Sequence, residues 1–126
     1  MQLSKLFVVF VLAMVGVMAL AVLAPAEKNK FGVGDVRRVT FADEFRLGDT
    51  LLPSGPYEIR HLMEGNDHVM VFHHLSGQQA DVRAKCSLEP LPEKAAQSQQ
   101  LFGVNLANER VLRELVFRGE KTKHVF

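Results

Sequence analysis

The chain contains a single cysteine, Cys86. A small exported domain commonly depends on disulfides, and a lone thiol cannot form one within its own chain, so burial must hold this fold. Neither sign of charge is in excess. Beyond residue 26, 14 Lys and Arg face 14 Asp and Glu, which excludes the basic stripe that nucleic-acid binding needs. The small cluster of Lys28, Lys30, Arg37 and Arg38 is diluted by Glu27 and Asp35 and reads as a solvated arm.

The familiar catalytic signatures are missing too. There is no Gly-x-Ser-x-Gly elbow, no glycine-rich phosphate loop, no His-Glu-x-x-His and no pair of Cys-x-x-Cys motifs. "FGVGD" resembles a piece of a glycine loop but precedes a strand, so it reads as a turn. Asp43, Glu44 and Asp49 could supply paired carboxylates. Adjacent strand residues diverge, however, and a domain this small seldom builds the cleft that glycoside hydrolysis requires. No enzyme and no cofactor are expected. Internal repeats and low-complexity stretches are also absent, and no sustained helical period follows the N-terminal segment.

That segment, "MQLSKLFVVFVLAMVGVMALAVLAPA", has a short n-region with Lys5, an apolar run and an Ala24-Pro25-Ala26 ending. This is a signal-peptide pattern. Cleavage after Ala26 leaves residues 27–126. An uncleaved helix of this length is the alternative, and it would anchor the domain in a bilayer. Either outcome places the domain in the periplasm or outside the cell, with membrane contact only through the N-terminal helix. With no cysteine near the cleavage point, a lipid anchor there is excluded.

Residues 27–35 read as a polar arm and 36–126 as one domain. Apolar residues alternate through 36–41, 45–47, 57–63, 68–75, 80–88, 101–106, 111–117 and 124–126. Turn residues punctuate them at "LGDT", "PSGP", "EGND", "LSGQ", "LANE" and "RGEK". The expected fold is all-β: a single small antiparallel β-sandwich, or partly open barrel, of about seven strands. "PLPEKAAQSQQ" fits either a helical turn opened by Pro92 or a surface connection. In "ADVRAKCSLE" the alternation turns Cys86 inward with Ala84 and Leu88, which makes it a buried structural thiol rather than a nucleophile.

The most informative stretch is "LLPSGPYEIRHLMEGNDHVMVFHHL", residues 51–75, which holds four of the five histidines. Pro53 and Gly55 fit positions i+1 and i+3 of a type I turn. Pro56 lacks an N–H, so the following strand is expected to start at a sheet edge or outside the ladder. "LLPSGPYEIRHL" resembles the leucine-proline-x-glycine-x-tyrosine strand start of small exported bacterial β-sandwich domains, including carboxypeptidase-regulatory-like (transthyretin-like) modules. In order, "GDTLLPSGPYEI", "HVMVF", "AKCSLEPLPEKA" and "ELVFRGEKTKHVF" are similar to a group of short signal-peptide-bearing proteins of environmental bacteria. The resemblance covers residues 36–126 and rests on Pro53, Gly55 and Tyr57. It implies an immunoglobulin- or transthyretin-like sandwich, and it implies neither an enzyme nor catalytic residues.

The histidines pose a register question. A two-residue loop at Gly65 and Asn66 sets His61 against Met70 and His74 against Tyr57. A three-residue loop including Asp67 sets His61 against Val71 with His73 on the diagonal, and only this second register is expected to bring two imidazoles together. His73 and His74 point to opposite faces, so the candidate metal ligands are His61, His73, His68 and His124. Two functions follow. The first is an exported non-catalytic domain that binds an envelope protein or glycan, or serves a structural role. The second is a histidine-based transition-metal module of the periplasm. Oligomeric state is not legible.

Overall fold

A computed structural model describes residues 32–126. The expected signal segment and the first part of the polar arm lie outside the described residues. No helix occurs among the described residues. They form nine strands: β1 (Val36–Phe41), β2 (Phe45–Leu47), β3 (Thr50–Leu52), β4 (Gly55–Glu64), β5 (Asp67–His74), β6 (Val82–Pro90), β7 (Gln99–Val104), β8 (Arg110–Val116) and β9 (Thr122–Val125). The all-β expectation holds. The element missing from the sequence reading is β3, whose three residues are too few to show alternation between two turn signals.

The strands run β1-β4-β5-β6-β9-β8-β2-β3, with β7 added on β8, and the sheet does not close. Pairing is antiparallel apart from one parallel bridge, Arg46 to Val111, between β2 and β8. Strand β6 passes from one partner to the next: Val82 to Cys86 pair with β5, and Ser87 to Pro90 pair with β9. Residues 91–98 form a connection without helix. It is tied to the β8–β9 turn by Leu91 N–H to the Lys121 carbonyl and Ala95 N–H to the Glu120 carbonyl.

Period-two alternation becomes core where Phe41, Phe45, Leu52, Tyr57, Ile59, Met70, Phe72, Leu112 and Leu115 are all buried. Phe41 stacks on Phe45 at 4.1 Å, and Tyr57 meets Phe41 edge-on at 5.4 Å. Each large apolar side chain fully buried contributes roughly 1.5–3 kcal/mol. In a chain without a disulfide, this aromatic centre is the main source of stability.

The start of β4 has a clear physical basis. The Tyr57 hydroxyl donates to the Pro53 carbonyl, and His74 Nε2 lies 3.0 Å from the Ser54 carbonyl oxygen. Gly55 has a φ of 126°, and a Cβ there would come within 2.7 Å of His74 Nε2. Glycine is therefore required twice, for conformation and for space. Pro56 departs from expectation: it lies inside an internal strand, between β1 and β5, paired with Thr40 of β1. Its missing N–H is tolerated there because β5 pairing ends at Tyr57 and His74. The Pro56 carbonyl accepts from Leu75 N–H instead.

Candidate metal centre

Strands β4 and β5 are joined by Gly65 and Asn66 alone, with Glu64 opposite Asp67 and His61 opposite Met70. Of the two loop residues only Gly65 has a positive φ, 61°, the glycine-first pattern of a type II′ hairpin. This is the two-residue register, yet two imidazoles do meet. His61 Nε2 lies 2.8 Å from His68 Nδ1, with ring centroids 5.0 Å apart. The expectation that only the longer loop brings imidazoles together is corrected. With Met70 opposite His61, His68 stands on the diagonal of the same face, within reach of long side chains.

Neighbouring strands extend this face. His68 pairs directly with Cys86 of β6, and Leu88, two residues on, pairs with His124 of β9. Side chains two apart share a face, so His61, His68, Cys86 and His124 all project to one side across four adjacent strands. His61 and His124 are 3% and 1% exposed, with rings 5.2 Å apart and nearly perpendicular. Cys86 Sγ lies 3.9 Å from His124 Nδ1. One donor atom each from His61, Cys86 and His124 falls within 4.8 Å of the others. His68 and Cys86 are only half-buried, so the cluster opens toward solvent on their side.

Behind His124 stands a carboxylate. His124 Nε2 is 3.1 Å from Glu120 Oε2, and the Arg37 guanidinium is 3.3 Å from the other oxygen, Oε1. Burial would raise the Glu120 carboxyl, but the bond to His124 and the positive charge of Arg37 outweigh it and hold the group below the usual carboxylate range. His124 thus has Nε2 on the Glu120 side and Nδ1 on the Cys86 side, the carboxylate–histidine arrangement common behind metal ligands.

The chain Cys86–His124–Glu120 also has the connectivity of a nucleophile, a base and an orienting carboxylate. The direction of the thiol's shift is not that of an activated nucleophile. Burial pushes the Cys86 thiol up to about 11, whereas a nucleophilic cysteine needs its pKa lowered. A bound metal ion removes that difficulty, because a coordinating thiol is deprotonated outright.

The remaining candidates sort differently. His73 projects from the opposite face, where Nδ1 lies 2.7 Å from Asp81 Oδ1. It lines a shallow cleft of about 340 Å³ with Arg60, Arg83 and Glu58. It takes no part in the cluster, because the observed register pairs it with Glu58. His74 serves the strand start. Asp43 is an exposed partner of Arg110 at 3.5 Å.

Sequence reasoning passed over Cys86 as a ligand and did not consider Glu120. The inward parity of Cys86 was the available signal. Its partners depend on the β5–β6 and β6–β9 registers, which long connections leave undetermined. Glu120 sits in the "RGEK" turn, where nothing but the fold brings it under His124. No family model matches the chain, and neither the curated proteins nor the solved structures include a match.

Proposed function

We propose that the chain is an exported, non-catalytic β-sandwich domain that binds a transition-metal ion through His61, Cys86 and His124, with His68 at the open side. The observation that carries this reading is the convergence of two imidazoles and a thiol, within 4.8 Å, from three strands distant in sequence. Nitrogen and sulfur are the donor types that Zn(II) and copper take, and the side chains would close on the ion from this separation. Glu120 supplies the outer support that such ligands ordinarily have. The signal-like N-terminal segment supports export, to the periplasm or outside the cell.

Titration of the purified chain with zinc and with copper, followed by thermal melting, tests the proposal. An ion present at about 100 times its Kd stabilises by about 2.7 kcal/mol, which is several degrees in Tm for a domain of this size. A Cys86→Ser chain is expected to lose that shift. An unchanged Tm in both metals would sink the reading.

A second reading, a metal-free domain that docks on an envelope protein or glycan, is favoured by exposed Leu101, Val104 and Leu106 along and beyond β7. Retention of the chain by envelope fractions, lost on Val104→Lys, is its test.

A further inference from the structure

We infer that the chain dimerises by pairing strand β7 with β7 of a second copy, an inference independent of the metal reading. Three strands of the sheet have a free side: β1, β3 and β7. A free strand edge offers a row of unpaired N–H and C=O groups to any further strand, and folded chains blunt such edges with charge or by keeping them short. Strand β1 carries Arg37 and Arg38 in succession, and β3 has only three residues. β7 has neither protection. It runs for six residues without charge or proline, and the uncharged stretch extends from Ala95 to Asn108. Where β7 meets β8 the extra residue of the bulge, Arg113, belongs to β8, so β7 itself stays regular.

The side chains of β7 fit the same reading. Phe102 packs on Phe41 and Phe45, and Gln100 Nε2 donates to the Thr40 carbonyl of β1. Leu101, between these two inward residues, turns outward and is 43% exposed, with Val104 at 65%. Gln100 reaches β1 by its side chain alone; among the described residues no backbone bond closes β7 against β1. Two copies of one edge related by a two-fold axis run antiparallel and offer each other the same alternation of donors and acceptors. A two-fold axis at Leu101 sets Leu101 of one copy against Leu101 of the other, Gln99 against Gly103 and Ser98 against Val104, so no charge is covered. A second β7 also arrives already ordered on its own domain, whereas a loose peptide would lose its conformational freedom on docking. One strand pairing covers less than the about 1,200 Å² of stable complexes, so the dimer is weak and reversible.

The test is analytical ultracentrifugation of the purified full chain up to high micromolar concentration, beside Leu101→Lys and Leu101→Glu chains. The native chain is expected to pass from monomer to dimer as concentration rises. Each variant alone is expected to remain monomeric, because like charges then meet across the two-fold axis, and an equimolar mixture of the two is expected to dimerise again. The N-terminal segment is common to all three chains, so association through it would persist in the variants. A native chain that stays monomeric, variants that associate as the native chain does, or a mixture that stays monomeric would each overturn the pairing. Hydrogen exchange of the native chain is a check that needs no variant: β7 amides are expected to exchange more slowly at high concentration than at low, and exchange independent of concentration would overturn the dimer. A native chain that is monomeric yet retained by envelope fractions would also overturn it, and would assign β7 to the envelope-docking reading.

Discussion

Gly55 and Gly65 both have positive φ, but they carry different burdens. A Cβ at Gly65 would meet nothing within 4 Å, while one at Gly55 would run into the His74 ring. Gly65→Ala is therefore expected to cost about 1 kcal/mol of backbone strain. Gly55→Ala should cost about 2–4 kcal/mol, because His74 must also leave the Ser54 carbonyl. Denaturant midpoints of the two variants check the difference; equal losses would contradict the close approach at Gly55. Glu120→Gln keeps the shape and a hydrogen-bonding oxygen beside His124 but removes the negative charge. Metal affinity is expected to fall 10- to 100-fold with the melting temperature of the metal-free protein little changed. At this scale Pro53, Gly55 and Tyr57 were legible in the sequence because their roles are set by neighbours in the chain. His68 beside His61 was within reach of the same reasoning, since the two-residue loop puts it on the diagonal.

Strand and loop geometry determines which donors can share a face. The two-residue β4–β5 loop sends His61 and His68 inward and His73 outward to Asp81, so a single hairpin separates the cluster from the polar cleft. Across β7–β8 the corresponding control is Asn105, whose side-chain oxygen accepts the N–H groups of Ala107 and Glu109 and whose amide donates to Glu109 Oε1. Glu109 in turn accepts from Arg46 at 2.7 Å, tying the loop to β2. Asn105→Ala is expected to lower stability by about 1–3 kcal/mol through the N–H groups left unmade, with metal binding retained. A loss of metal binding in this variant would mean that the cluster depends on the β7–β8 end of the sheet. Alternation made most strands legible from the residues alone. It could not reveal β3, which is too short, nor the internal position of Pro56, which depends on where β5 stops pairing.

For the whole molecule, the notable combination is an open sheet, no disulfide and a donor cluster spanning β4, β5, β6 and β9. Those strands lie at the centre of the strand order, where a metal ion would fasten the handover of β6 from β5 to β9. Loading the site is therefore expected to raise the cooperative melting of the described domain as one unit, and a chelator to reverse it. Two probes, one near Tyr57 and one near the β9 end, should report the same Tm with and without metal; separate transitions would contradict this picture. The all-β class was legible because its signal is local. The cluster was not, because it needs three registers joined by connections whose lengths do not fix them. X-ray absorption at the edge of the bound metal tests the central claim most directly. The account predicts one sulfur scatterer at about 2.3 Å with two or three imidazole nitrogens at about 2.0–2.1 Å, distances typical of such ligands, and loss of the sulfur shell in Cys86→Ser. A first shell without sulfur in the native chain would contradict it.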